Sequence, residues 1–241
     1  MAAEEEEFPG DARGLTPSKK EDGKEVSDDA AAAKAEKMYM KMIFGFVPLA
    51  QLIFGAGTYF ALRACGATTT IDAKFAFMTT WELGYPLLAT YIIGMGRQRI
   101  MVNANAARAG ARVDRPDQHV YKIMDKHKVL GQPPEKMPYV LMANTGWQGK
   151  FNRAQRGGFN TDEAMPQVLV NTIAAGAIFG PVIVPIVLLP VYGRVKFALG
   201  YTEASNKRGG GLMPAFIGEA WIAGLLLFAA IKAIGGSSLP F

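Results

Sequence analysis

From Met165 to Leu199 the chain is apolar almost throughout, and this stretch constrains the fold more than any other. As one helix it would reach roughly 50 Å, against a bilayer hydrocarbon core of about 30 Å. It must turn. Gly180-Pro181 stands at the midpoint, where proline interrupts helical hydrogen bonding and suits the first turn of a new helix, so the expectation is two spans joined by a tight hairpin. Gly176 and Gly180 also form a Gly-x-x-x-Gly pair that permits close helix packing, though the turn alone explains Gly180.

Three further apolar stretches have the length of a span. Met42 to Leu62 is closed by Arg63, Phe75 to Gly96 ends in Arg97 and Arg99 with Glu82 and Pro86 inside it, and Leu212 to Ile234 contains Glu219 and Trp221. The fold class is therefore all-α, an integral membrane helical bundle of five spans. Glu82 must be protonated, paired or turned toward protein. A net charge of +5 over 241 residues, half of them apolar, conceals strong segregation. Charge gathers in the first forty residues and in the middle third. The stretch 97–150 and the stretch 201–211 are both basic, which places them and the N-terminus in the cytosol. Residues 1–37, rich in Glu, Asp, Lys and Ala, are too poor in large apolar side chains to offset chain entropy and are expected to be disordered.

Several function classes fall away. The basic loop lacks aromatic-basic interleaving, so nucleic acid is set aside. His119 and His127, eight apart with no nearby cysteine, do not suit a metal site and read as surface residues. Cys65 is the sole cysteine, and no intrachain disulfide is possible. No internal repeat suggests a transporter.

The stretch from Phe151 to Pro166 carries the candidate chemistry. On a helix, Arg153, Arg156, Asn160 and Glu163 recur at spacings of three and four and share one face. Charges entering lipid usually face a bundle interior or a watery cavity, so a polar ligand bearing both signs is a natural occupant. Snorkelling arginines at a solvated helix start are the alternative. Arg194 and Tyr201, seven apart, share a face of the helix leaving the hairpin, and Arg208 follows after seven more. Arginines bind carboxylates, a glutamate holds an ammonium, and a guanidinium beside a thiol favours the thiolate. Glutathione offers all of these groups.

Arg153, Arg156, Asn160, Glu163 and Pro166, followed by Gly193-Arg-Val-x-Phe-x-x-Gly-Tyr-Thr, resemble the MAPEG family, the membrane-associated proteins in eicosanoid and glutathione metabolism. Tyr139-Val-Leu-Met, Phe151-Asn152, Gln155-Arg156 and Ser205-Asn-Lys-Arg208 extend the likeness over roughly 139–234, and point to its microsomal glutathione transferases. The resemblance implies a four-helix subunit over 75–241, with the 97–150 loop extended and 38–64 an additional transmembrane helix. It also implies a homotrimer in the endoplasmic reticulum, with glutathione as co-substrate between subunits near the cytosolic face. On matched positions Arg156, Asn160, Glu163, Arg194 and Tyr201 would bind glutathione, and Arg208 would stabilise its thiolate. The expected activity is transfer of glutathione to lipophilic electrophiles, with glutathione-dependent reduction of lipid hydroperoxides as a further expectation. A non-catalytic lipid-binding or scaffold protein is the alternative. Gly158, Ala164 and Phe197 depart from the family, which commonly has His or Gln at the first and Tyr at the other two.

Overall fold

The computed structural model describes residues 20–21, 24–113, 119–122 and 141–235. Seven α-helices account for most of them: α1 (Asp28–Lys41), α2 (Val47–Ala64), α3 (Thr69–Thr80), α4 (Gly84–Ala111), α5 (Gly146–Phe179), α6 (Ile183–Glu203) and α7 (Gly209–Gly235). The strands are two-residue pieces, β1 (Lys20–Glu21) against β2 (Lys24–Glu25) and β3 (Tyr121–Lys122) against β4 (Leu141–Met142), both antiparallel. The protein is an all-α membrane bundle. Three helical stretches, the second of them a hairpin, are long and apolar enough to cross a bilayer: Asp28–Ala64, Gly146–Glu203 and Ser205–Gly235.

Helices α4 to α7 meet on one apolar core. Ala89 and Ile93 from α4, Ala175 from α5, Ile183, Ile186 and Val187 from α6 and Ile222 from α7 are buried together. The long apolar run does turn where expected: a 3-10 turn at Gly180–Val182 joins α5 to α6. Gly180 sits at φ 55°, ψ −125°, a conformation essentially confined to glycine, and a side chain there would strike the Glu82 carboxylate. Gly176 packs instead against Pro86 of α4. The closest approach joins α6 to α7, where a Cβ on Gly193 would overlap the Ala215 backbone. Pro166, Pro190 and Pro214 lie inside helices without ending them. Neighbouring helices in a bundle compensate the lost hydrogen bonds.

Several expectations need correction. Residues 28–37 are helical rather than disordered: Ser27 caps α1 by accepting the Ala30 N–H, Asp28 and Asp29 occupy the first turn, and Ala32 is buried. Tertiary ion pairs supply what the sequence lacks in apolar surface. Asp28 meets Arg112 at 3.6 Å and Glu36 meets Arg99 at 2.8 Å, so α1 runs antiparallel to α4. Of the rest of the proposed tail, 20–21 and 24–25 pair as β1 and β2, and 1–19 with 22–23 lie outside the described residues.

The stretch 75–96 is not one helix. It breaks at Trp81–Leu83, with Glu82 at φ 53°, and Pro86 falls in the first turn of α4, where its missing N–H costs nothing. Glu82 therefore occupies an exposed turn and not the interior of a span. The 97–150 connection is also less of a loop than expected, since α4 continues to Ala111 and α5 begins at Gly146. Its alanine-rich turns bury Ala104, Ala107 and Ala111 against Phe151 and Ala154, a small second core outside the apolar run. Finally, 201–211 is compressed to one extended residue, Ala204, and a 3-10 turn at Ser205–Arg208. His119, expected at the surface, is half-buried with its ring 5.8 Å from that of Phe159; His127 and Tyr139 lie outside the described residues.

Candidate functional site

The first turns of α5 organise the site, and two of their polar residues hold the scaffold itself. Asn152, buried, accepts the Val120 N–H and donates to the carbonyls of Val120 and Ala143, each at 2.8 Å. It pins the β3–β4 ladder to the helix. Arg153 donates to the main-chain oxygens of Thr202 at 3.1 Å, Glu203 at 3.2 Å and Asn144 at 2.8 Å. The last carbonyls of α6 have no intrahelical partner, and this guanidinium supplies one. Arg153 is thus a cap and leaves the ligand face to its neighbours.

Arg156 and Glu163 do share a face and meet at 3.0 Å through Nη1 and Oε1. Their side chains are 48% and 62% exposed, so the pair is worth little to folding and both groups stay open to a ligand. Asn160 lies between them on the helix, and its main-chain oxygen receives the Arg194 Nη1 at 3.4 Å. Arg194 itself is committed elsewhere: Nε and Nη2 meet the two Glu219 oxygens at 2.6 and 2.9 Å, with both side chains about three-quarters buried. On the opposite pair of helices, Arg97 of α4 grips Asp162 of α5 in the same forked way, at 2.6 and 3.0 Å. One doubly bonded pair ties α4 to α5, and another ties α6 to α7.

A narrow apolar cleft runs between these two pairs, walled by Ile93, Ile100, Met165, Val168 and Val191 and ended by Arg97, Arg194 and Glu219. An open groove between α5 and α7, about 740 Å³ counting its mouth, begins at Ala164 and continues past Gln167, Asn171, Phe216 and Ala220. Toward the end of α6, the Arg208 guanidinium lies 5.7 Å from the centre of the Tyr201 ring, which in turn packs 6.0 Å from Phe197. Arg208 is exposed, and Lys207 beside it pairs with Glu203 at 2.7 Å.

The residues singled out in the sequence thus separate into three groups. Arg156, Asn160 and Glu163 line one face of α5, and Tyr201 with Arg208 form a second contact at the α6–α7 turn; Arg194 belongs to the bundle's internal pairs. The partners Asp162 and Glu219 were missed. The signal was present, because a carboxylate in or beside an apolar span demands a cation at matching depth. No protein-family model matches this chain, and no curated protein matches it.

Proposed function

We propose that this membrane protein is a glutathione transferase of the MAPEG type, nearest to the type 3 microsomal glutathione S-transferases. The observation that carries the reading is the exposed Arg156–Glu163 pair with Asn160 between its members, at the polar start of the helix that bears the groove. An ion pair this exposed opens at little cost. Opened, it offers a guanidinium to a carboxylate of glutathione and a carboxylate to its ammonium. A homotrimer would enclose this face between neighbours, in the endoplasmic reticulum membrane with the site toward the cytosol.

In the reaction the glutathione thiol gives its proton to solvent and the thiolate is held by Arg208. Each unit by which the thiol pKa falls below about 8.5 requires about 1.4 kcal/mol of preferential stabilisation of the anion. The thiolate attacks an electrophilic carbon presented from the α5–α7 groove, forming a C–S bond as the leaving group departs or a strained ring opens. With a lipid hydroperoxide it attacks the terminal oxygen instead: the O–O bond breaks, the lipid leaves as an alcohol, and a second glutathione converts the sulfenic acid to disulfide and water. The alternative, a non-catalytic lipid-binding or scaffold protein, draws on Phe197 and Ala164, which offer no hydroxyl, and on Arg194, which Glu219 already occupies.

Calorimetric titration of glutathione into the purified protein, followed by a conjugation assay with a lipophilic electrophile, tests the reading. Binding with turnover supports the transferase. Binding without turnover supports the non-catalytic form, and no binding removes glutathione from the account.

A further inference from the structure

The groove between α5 and α7 is apolar except for three side chains. Ala164, Gln167 and Asn171 line it at spacings of three and four on α5, as Phe216, Glu219 and Ala223 do on α7, so one face of each helix turns into it. Glu219 is already joined to Arg194. The two amides have only each other: Gln167 Nε2 donates to Asn171 Oδ1 at 2.7 Å, and neither side chain makes another hydrogen bond among the described residues. Gln167 Oε1 is left as an acceptor and Asn171 Nδ2 as a donor.

Both amides lie at the depth of the apolar span. At a rise of 1.5 Å per residue, Gln167 is about 6 Å and Asn171 about 12 Å along the helix axis from Glu163. Asn171 falls about midway between Met165, where the apolar run opens, and the turn at Gly180. Hydrocarbon offers neither donor nor acceptor, so a groove carrying one of each calls for an occupant that brings both. A second copy of the chain is poorly equipped to do so. Its other amide and hydroxyl groups at this depth are engaged, since Gln51 accepts from Tyr91, and Thr58 and Thr90 donate to carbonyls of their own helices. A carboxylate is equally unsuited, because it only accepts, and the lining holds Glu219 and no cation but the one that residue already pairs. A hydroxyl both donates and accepts through a single oxygen, without charge.

We infer that the α5–α7 groove binds a long-chain lipid bearing a hydroxyl part-way along its chain, the hydroxyl donating to Gln167 Oε1 and accepting from Asn171 Nδ2. The anchored oxygen fixes how far the chain enters, so the position offered to a thiolate at the level of Glu163 stands about 6–12 Å away from it. As a statement of substrate class this rests on the transferase reading above; as a binding site the groove stands without glutathione.

The test is competition for tritiated methyl ricinoleate, which carries a mid-chain hydroxyl, on the purified full chain in nanodiscs without glutathione. Methyl oleate, which lacks the hydroxyl, is the competitor. Wild type is expected to prefer methyl ricinoleate by about tenfold, as two hydrogen bonds of ordinary net strength would give. Gln167→Leu and Asn171→Leu should each lower that preference by about threefold, and the double variant should abolish it while methyl oleate binds as before. Gln51→Leu, outside the groove, should change neither ester. Ala220→Trp fills the groove and should exclude both, which keeps the proposal open to refutation if the amide variants fail to fold. Equal affinity of wild type for the two esters, a preference that survives the double variant, or full binding by Ala220→Trp would each overturn it. So would a fall in assembly mass by light scattering in the double variant with no ester bound by wild type, which would give the groove to a second copy. Failure of glutathione to bind removes the transferase and leaves the ester preference standing; conjugation that persists without any ester preference removes this site alone.

Discussion

Arg194 and Glu219 face one another across α6 and α7 and are joined twice, Nε to Oε1 at 2.6 Å and Nη2 to Oε2 at 2.9 Å. Both side chains are about a quarter exposed, so neither charge has water enough to stand alone. Removing one partner leaves the other stranded. Glu219→Gln is expected to destabilise the bundle by about 2–4 kcal/mol, whereas replacing both residues by apolar ones of similar volume should recover most of that loss. Thermal unfolding in detergent distinguishes the cases: equal destabilisation by the single and double variants would mean the pair contributes only through packing.

The Arg156–Glu163 pair predicts the reverse pattern. Because both groups are largely in solvent, Arg156→Ala and Glu163→Gln should leave the unfolding temperature nearly unchanged. Each should nonetheless weaken glutathione binding by about 1–3 kcal/mol, the usual loss when a charge-assisted partner is removed. Calorimetry on both variants reads this directly, and unaltered affinity in both would return α5 to the status of a solvated helix start.

For Arg208 the expected change is in chemistry more than in binding. Arg208→Ala should return the bound thiol toward about 8.5 in an ultraviolet thiolate titration while glutathione affinity falls less than in Arg156→Ala. Phe197→Tyr restores a hydroxyl 6.0 Å ring to ring from Tyr201 and should raise the rate if that hydroxyl limits turnover. A normal thiol in the wild type, with no response to either substitution, would leave the non-catalytic reading.

At the opposite end of the bundle the prediction concerns pH. Tyr59 donates to Asp72 Oδ1 at 2.6 Å, and this bond, followed by one from Thr68, holds the Asp72 carboxyl below its ordinary value of 3.8. A carboxyl depressed on folding contributes stability that is present above its ordinary pKa and is lost as pH falls through the lower, folded value. The contact between α2 and α3 should therefore hold at neutral pH and loosen below about pH 4. Infrared titration of the carboxyl band, assigned by its disappearance in Asp72→Asn, measures the midpoint; a value at or above 3.8 contradicts the assignment.

Much of the membrane architecture was legible because it follows from length alone. A run too long for one span, with Gly180-Pro181 at its middle, admits few solutions, and the hairpin is one of them. The break at Glu82 was read past, since Thr79, Thr80, Glu82 and Gly84 are each tolerated singly in a span, although together with Pro86 they mark the turn. Helix α1 was hidden for another reason: local composition reports the chain's own burial and says nothing of Arg99 and Arg112 waiting on α4. The spacing of Arg156 and Glu163 did reveal a shared face. The same spacing put Arg153 on that face without showing that it caps α6, because helical periodicity fixes direction but not which acceptors a long side chain will find.

Asn152 has a bearing on how freely the stretch between α4 and α5 can vary. Its three hydrogen bonds to Val120 and Ala143 fasten both sides of the β3–β4 stem to α5. A stem clamped at its base passes no strain inward from whatever it carries, and lengthening a closed loop costs only about 0.6 kcal/mol per doubling. Insertions between the two strands, an affinity tag or a fluorescent reporter among them, should thus leave the register of Arg156 and Glu163 undisturbed, which makes this stem a natural handle on the protein.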